Sequence, residues 1–175
     1  GMELYRDMPL IEPLEYREDR RVREFVIAID TSGSVSRQRV RRFLESTFSI
    51  LKSSGSFSSE MKVYIIQCDA AIQHVELIET PEDLNHYMEE LMIYGYGGTD
   101  FRPVFEYVDR LLEERMLTKL EGMIYFTDGL GIYPKHPPAY RTAFIFTDEG
   151  LENVSDFPAW AMKIILTEEE IDCLE

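Results

Sequence analysis

One apolar run limits the possible folds of this chain more than any other feature of its sequence. Residues 25–29 read Phe-Val-Ile-Ala-Ile, and the run ends in Asp30. Because successive side chains of a strand point to opposite faces, five consecutive apolar residues leave neither face for solvent. Such runs are typical of the central strand of a parallel sheet that helices cover on both faces. The run therefore predicts a buried, central, parallel strand.

The segments that follow this strand alternate between helical and strand patterns. Ser36 is a suitable N-cap for an amphipathic helix. Residues 62–68 and 71–78 have strand patterns and are separated only by Asp69 and Ala70, which predicts a tight antiparallel hairpin with 71–78 at the sheet edge. The inward-facing residues of the first helix recur at helical spacing: Val40, Phe43, Leu44, Thr47, Phe48 and Leu51.

The second half of the chain continues this alternation. Thr80-Pro81-Glu82-Asp83 has the composition of a helix start, and residues 103–115 have the pattern of another amphipathic helix. Three more strands are predicted, at residues 123–126, 142–146 and 162–166. We therefore predict a doubly wound α/β fold: a mostly parallel six-stranded sheet with one antiparallel edge strand and helices on both faces.

The length, charge and composition are those of an acidic globular domain. The chain has 175 residues, of which 45% are hydrophobic; we place one domain at residues 25–175, after a charged N-terminal lead-in or linker at residues 1–24. The net charge of −15 argues against nucleic acid and membranes as partners, because binding phosphate needs clustered Lys and Arg. The two cysteines form no Cys-x-x-Cys pair and no signal peptide is recognisable, so we expect a cytoplasmic protein.

Three polar clusters follow predicted strands or a glycine-rich turn. They are Asp30-Thr31-Ser32-Gly33-Ser34, Gly97-Gly98-Thr99-Asp100 and Thr127-Asp128-Gly129. Ligands of open α/β sheets bind outside the carboxyl ends of the strands, so these clusters should meet at one edge. Carboxylates and hydroxyls are hard oxygen donors, which favour Mg²⁺, Mn²⁺ or Ca²⁺ over zinc. We therefore predict a divalent-metal site, most suited to Mg²⁺, formed by Asp30, Ser32, Ser34, Thr99 and Asp128.

These clusters resemble the metal-ion-dependent adhesion site of von Willebrand factor type A-like (VWA) domains. Residues 30–34 match the Asp-x-Ser-x-Ser motif of that family, Thr99 matches its metal-binding threonine, and Asp128 matches its second aspartate. The resemblance spans roughly residues 25–166 and implies that the first strand is central.

A narrower resemblance is to a bacterial branch of uncharacterised proteins, in which a VWA-like domain follows a metallopeptidase-like region. Residues 67–70, 98–105 and 126–131 carry this resemblance. The His-Glu-x-x-His zinc motif of the upstream region is absent from this sequence. No peptidase activity of such a protein can therefore be carried over to this chain.

Several residues beside the clusters allow two interpretations. Asp69 either supports the metal ligands or only turns the hairpin. Asp100 either contacts the site or caps the next helix. Tyr96 is a candidate for the rim of the site, where aromatic residues often serve recognition. Three further tyrosines are either rim residues as well or packed in the core and loops: Tyr94, Tyr133 and Tyr140.

Two classes of function are compatible with such a site. The first is a protein-binding module, in which an Asp or Glu of a partner completes the metal coordination; by resemblance, that partner could be a MoxR-type AAA+ ATPase. The second is a metal-dependent hydrolase or a peptidase-associated domain, which needs a general base beside the metal. The clusters contain no histidine, so Asp69 or Asp100 would have to serve as the base.

Phosphoryl transfer by a nucleophilic aspartate is disfavoured. Enzymes of that kind have an Asp-x-Asp motif, whereas this sequence has Ser32 at the position of the second aspartate. We therefore expect a domain that is not an enzyme by itself.

Overall fold

A computed structural model describes residues 22–33, 36–53, 60–127, 131–146 and 156–166 of the chain. Within these ranges it contains three helices and one six-stranded sheet of order β3-β2-β1-β4-β5-β6. The strands are β1 (Arg23–Asp30), β2 (Met61–Cys68), β3 (Ile72–Ile78), β4 (Leu120–Thr127), β5 (Thr142–Phe146) and β6 (Met162–Ile165). The helices are α1 (Arg37–Ser53), α2 (Pro81–Glu89) and α3 (Arg102–Glu113). The predicted α/β architecture is confirmed.

Strand β1 lies at the centre of the sheet, as its apolar pattern predicts. It pairs in parallel with β2 on one side and with β4 on the other, and all of its residues are buried. Phe25, Ile27 and Ile29 belong to the core beneath α1 and α2, whereas Val26 and Ala28 belong to the core beneath α3. Because β1, β2 and β4 run in the same direction, their carboxyl ends meet at one edge of the sheet.

The edge strand β3 is antiparallel to β2, as predicted, but the turn between them is longer than expected. Three residues, 69–71, separate the two strands, and Asp69 N donates to Ala71 O at 3.2 Å. The strand register shifts between Gln67 and Cys68, where a bulge accommodates the additional residue. Asp69 is therefore buried at the end of β2, at 7% exposure, instead of lying at the tip of a two-residue turn.

The local signals for helix starts are confirmed. Ser36 Oγ accepts a hydrogen bond from Arg39 N at 3.3 Å at the start of α1. At the start of α2, Thr80 Oγ1 accepts from Asp83 N at 3.0 Å and Asp83 Oδ2 accepts from Thr80 N at 3.1 Å, which is a complete capping box. None of the helices within the described ranges combines the length and the apolarity that a membrane span needs.

Strand β1 begins before the predicted residue 25, because its two charged residues have partners. The guanidinium of Arg23 donates from Nε and Nη2 to the two carboxylate oxygens of Glu121 on β4, at 3.1 and 2.8 Å. The carboxylate of Glu24 accepts from Thr118 N and Lys119 N at 2.8 and 2.6 Å. These contacts let charged side chains occupy buried positions that an apolar pattern alone does not mark.

Candidate metal site

The loop after β1 and the segment 95–100 are joined by backbone hydrogen bonds at the carboxyl edge of the sheet. Gly33 N donates to Gly97 O at 3.2 Å, and Tyr96 N donates to Thr31 O at 2.8 Å. Gly95, at φ +136°, passes so close to Thr31 that a Cβ atom would lie 2.5 Å from Thr31 Oγ1. Only glycine fits there, in both conformation and space. Two of the three predicted clusters are therefore in contact.

Asp30 connects the loop after β1 to the end of β4. Its side chain is 2% exposed. Oδ1 accepts from Ser32 N at 2.9 Å, and Oδ2 accepts from Thr127 Oγ1 at 2.5 Å. The two bonds fix the orientation of the carboxylate without any ligand. Asp30 is thus a buried carboxylate held in a defined orientation where the loop after β1 meets the end of β4.

Thr99 is half-buried and packs against the residues that follow β4. A Cβ atom on Gly131 would lie 2.9 Å from Thr99 Cγ2 and 2.5 Å from Cε2 of the buried Phe101. Phe101 N also donates to Ile132 O at 3.1 Å, which joins the two loops through their backbones. Gly131 and Ile132, which follow the third cluster in the sequence, are thus adjacent to the second cluster.

Three of the five predicted metal ligands, Asp30, Ser32 and Thr99, lie on these joined loops. Ser34 and Asp128 lie outside the described residues. In the part of the chain that the structure describes, no three His, Cys, Asp or Glu side chains are grouped so that they could hold a metal ion. The described members of the predicted set offer one carboxylate and two hydroxyls, which are hard oxygen donors.

Cys68, the neighbouring sulfur, does not change this chemistry. It is the buried free thiol that its position at the end of an apolar run predicts. Sγ donates to Asp69 O at 3.4 Å and lies 3.6 Å from Asp100 O. Burial raises the pKa of this thiol to about 12, so it stays protonated at neutral pH. The preference for a hard divalent cation such as Mg²⁺ therefore rests on the carboxylate and hydroxyl oxygens of the predicted set and not on this thiol.

Asp69 both turns the hairpin and supports the loop that carries Thr99. Oδ1 accepts from Ala71 N at 3.1 Å and from Gln73 Nε2 at 2.9 Å, while Oδ2 accepts from Gly97 N at 3.0 Å. Burial opposes ionisation, but these hydrogen bonds outweigh it and hold the pKa of Asp69 below its usual value. Asp69 is therefore an ionised anchor for the segment that approaches Asp30.

Asp100 binds the start of the next helix. Oδ1 accepts from both the backbone N and Nε of Arg102 at 3.0 Å, and Oδ2 accepts from Arg102 Nη2 at 2.9 Å. The hydrogen bonds from the Arg102 side chain hold the pKa of Asp100 below its usual value. Of the two interpretations, the structure shows the contact with the helix start, although Phe101 occupies the N-cap position itself.

The four tyrosines near the clusters fall into two groups. Tyr133 and Tyr140 are buried in the aromatic core beneath α3, so they are core residues and not rim residues. Tyr94 and Tyr96 are 40% and 55% exposed. Tyr96 has φ +69°, a conformation that costs a residue other than glycine free energy. It belongs to the joined segment 95–100, and its side chain is exposed, as expected of a residue at the rim of the site.

Two polar residues were not assigned a role in the sequence analysis. Thr127 supplies the hydroxyl that binds Asp30. Gln67 is fully buried: Nε2 donates to Tyr87 Oη at 3.2 Å and to Met92 O at 2.9 Å, and Oε1 accepts from Tyr94 N at 2.8 Å. Gln67 thereby ties the segment 92–94 to β2. The available signal was an uncharged polar residue within an otherwise apolar strand, since buried polar groups require partners.

Comparisons with known proteins agree with the fold. The family model described as VWA-like domain (DUF2201) matches residues 25–167. An uncharacterized protein of Thermotoga maritima is 26% identical over 101 residues, which are 58% of this chain and 21% of that protein. The matched part of the chain thus spans about a fifth of the length of this relative.

Two solved structures share the architecture at low sequence identity. The SpRpn10 VWA domain has a TM-score of 0.54 and 10% identity, with 88% of this chain and 94% of that chain covered. An aerotolerance-related membrane protein from Bacteroides fragilis has a TM-score of 0.52 and 14% identity, with 86% and 98% covered. At such identities these likenesses show the fold alone. Together with the family model, which matches most of the sequence, they establish that the chain belongs to the VWA-like domain family (DUF2201).

Proposed function

We propose that this domain is a metal-dependent protein-binding module. Asp30, Ser32, Ser34, Thr99 and Asp128 would hold a divalent cation, most suitably Mg²⁺ and alternatively Mn²⁺ or Ca²⁺. An Asp or Glu of a protein partner would complete the coordination. The observation that carries the proposal is the buried Asp30 carboxylate, oriented by Ser32 N and Thr127 Oγ1 where the loops that carry Ser32 and Thr99 are joined.

The surrounding contacts support binding over hydrolysis. A metal-dependent hydrolase needs a base whose pKa lies near the working pH. Asp69 binds Gly97 N and Asp100 lies in the segment 95–100 itself, and hydrogen bonds hold the pKa of each below its usual value. Both carboxylates are also occupied by protein donors. Neither carboxylate is poised to accept a proton from a water molecule, so neither of the two bases considered above supports the hydrolase alternative.

The proposed setting of the module is cytoplasmic, and its partner is a MoxR-type AAA+ ATPase. The support for this partner is the resemblance of the three clusters to VWA domains that work with such ATPases. Because the Thermotoga relative is several times longer than the matched segment, we infer that the domain works beside other regions of a larger protein. A metallopeptidase-like region would be one such neighbour.

The first experiment tests the metal site by Asp30→Asn. The amide keeps an oxygen acceptor for Ser32 N, whereas Asp30→Ala would remove the acceptor of the bonds from both Ser32 N and Thr127 Oγ1 and confuse folding with binding. A ligand that binds only the folded state stabilises it by about 2.7 kcal/mol at 100 times its Kd. We therefore expect MgCl₂ to raise the melting temperature of the wild type relative to EDTA, and to have little effect on the variant.

The matched control for this experiment is Asp109→Asn, which removes the same charge from the exposed side of α3. It should respond to Mg²⁺ as the wild type does. Capture of a purified MoxR-type ATPase by the immobilised domain, with Mg²⁺ or with EDTA, then tests the partner. Metal-independent capture, or equal capture by the Asp30→Asn variant, would remove the cation from the binding mechanism.

A further inference from the structure

We propose that a small pocket beside the joined loops is a recognition site for an arginine side chain of a protein partner. The pocket lies between the edge strand β3, helix α2 and the segment 90–94, and its volume is about 150 Å³. Pockets for drug-sized ligands have volumes of roughly 300–1,000 Å³, so this one is of side-chain size. Its walls include His74, Glu76, His86, Tyr87, Glu90 and Tyr94.

The charge of the pocket selects a cation. Glu76 and Glu90 contribute two carboxylates, and no Lys or Arg is among the residues that line the pocket. His86 Nε2 lies 3.3 Å from Glu90 Oε2, and His74 Nε2 lies 4.0 Å from Glu76 Oε1. With the carboxylates of Glu76 and Glu90 and no Lys or Arg in its lining, the pocket presents acidic groups to a ligand.

The aromatic side chains favour a planar cation. The rings of His74 and Tyr94 are stacked, with centroids 4.9 Å apart and planes at 13°. The Tyr94 side chain is still 40% exposed, so part of its ring is open to a ligand. A guanidinium stacks on such a face while its N–H groups bind a carboxylate, a combination that a lysine ammonium cannot make. The occupant that fits both features is therefore arginine.

A metal ion fits the same pocket less well. The cluster contains two His and two Glu, yet no three such side chains in the described ranges are grouped so that they could hold one ion. The histidine nitrogens nearest the acids are instead paired with the carboxylates of Glu76 and Glu90. A guanidinium, unlike a metal ion, does not require its ligands to meet at a single point. Separate carboxylates such as those of Glu76 and Glu90 can therefore bind it.

The walls of the pocket are fixed by the same contacts that hold the segment leading to Thr99. Gln67 binds Tyr87 Oη, Met92 O and Tyr94 N, so it holds one side of the pocket on β2. Thr99 follows Tyr94 by five residues, and a chain of that length spans at most about 18 Å. One partner surface can therefore place an arginine in the pocket and a carboxylate at the proposed metal site. The inference that one partner engages both the pocket and the metal site rests on the proposed function, whereas arginine binding by the pocket does not.

The test uses the ¹⁵N-labelled domain in EDTA at 150 mM NaCl, titrated with millimolar acetyl-arginine-amide and followed by NMR. Acetyl-citrulline-amide has nearly the same shape without the charge and is the matched probe. We expect arginine, and not citrulline, to shift the amide signals of His74, Glu76 and Tyr94. The chelator keeps the outcome independent of the metal, so failure here and failure of the metal site are distinguishable.

Two variants complete the test. Glu76→Gln with Glu90→Gln should weaken arginine binding about two- to fivefold, the range for exposed charge pairs. Glu82→Gln with Glu89→Gln changes the net charge equally on exposed positions of α2 outside the pocket, and should bind as the wild type does. Equal effects of the two pairs, shifts spread over the whole acidic surface, or micromolar binding of Zn²⁺ without an arginine response would each overturn the proposal.

Discussion

At the scale of single residues, the candidate site depends on hydrogen bonds between residues that are far apart in the sequence, such as the bond from Thr127 Oγ1 to Asp30 Oδ2. Asp30, Ser32 and Thr99 could be named because their residue types carry oxygen donors and each follows a strand or a glycine turn. The bond from Thr127 to Asp30 and the three bonds of Gln67 could not be predicted. Such bonds depend on the register between strands that are distant in the sequence, which residue type does not encode.

Gly131 is a residue whose replacement should disturb the candidate site. An added Cβ atom would lie 2.5 Å from Phe101 Cε2 and 2.9 Å from Thr99 Cγ2. Phe101 is fully buried and cannot move freely, so the strain should reach Thr99. We expect Gly131→Ala to lower the free energy of unfolding by about 1–3 kcal/mol, as overpacking does, and to reduce the Mg²⁺-dependent rise in melting temperature.

The control for Gly131→Ala is Gly98→Ala, since no atom lies within 4 Å of a Cβ built at Gly98 and its φ is not in the left-handed region. Urea unfolding measures stability, and thermal melting with MgCl₂ or EDTA measures the metal response. If Gly131→Ala matched Gly98→Ala in both, the close packing of Thr99 against the loop after β4 would be without consequence.

Asp69 should stabilise the fold in a pH-dependent way. Its carboxylate accepts three hydrogen bonds, so Asp69→Ala leaves Ala71 N and Gly97 N without an acceptor and should cost about 2–4 kcal/mol. The folded-state pKa lies below the usual value. The contribution is therefore complete above the unfolded pKa of about 3.9 and disappears as the pH falls through the folded pKa.

The measurement for Asp69 is urea unfolding of wild type and Asp69→Ala across the acid range. The difference in stability should be constant from about pH 6 to 8 and should shrink below about pH 4, because protonation removes the same acceptor that the substitution removes. A difference that grew as the pH fell would mean that the neutral form of Asp69 is the better partner, contrary to the geometry.

At the scale of elements, local signals were sufficient wherever the contacts are local. The capping box at Thr80 and the cap at Ser36 involve residues within three positions of each other. The start of β1 was missed because Arg23 and Glu24 are stabilised by residues of β4 and the preceding turn, far along the chain. The β2–β3 turn was predicted one residue too short because the bulge at Cys68 has no signature in residue type.

The capping box allows a test that separates helix stability from the site. Thr80→Ala removes the acceptor for Asp83 N and should lower the free energy of unfolding by about 1 kcal/mol. Thr80 is exposed at the start of α2 and is not part of the joined loops, so we expect the rise in melting temperature with Mg²⁺ to be unchanged. Thr80→Ser keeps the hydroxyl and serves as control. Loss of the metal response in Thr80→Ala would show that α2 is coupled to the site.

At the scale of the whole molecule, one sheet order explains both the stability and the location of the site. Helices on both faces of a central β1 give two apolar cores, one beneath α1 and α2 and one beneath α3. The two-faced pattern of residues 25–29 was sufficient to predict this layering. The same layering brings the carboxyl ends of β1, β2 and β4 to one edge, so the position of the candidate site follows from the fold.

The net charge of −15 makes any effect of a cation on the melting temperature ambiguous. Like charges on a compact domain repel one another, and salt screens them: the Debye length falls from about 30 Å at 0.01 M to about 10 Å at 0.1 M. NaCl alone should therefore raise the melting temperature of the wild type and of Asp30→Asn alike. MgCl₂ at matched ionic strength should add a further rise in the wild type, which saturates as a single site does. In Asp30→Asn the two salts should act equally. An additional Mg²⁺ effect of the same size in that variant would assign the stabilisation to the acidic surface as a whole. It would contradict specific binding of the cation at Asp30.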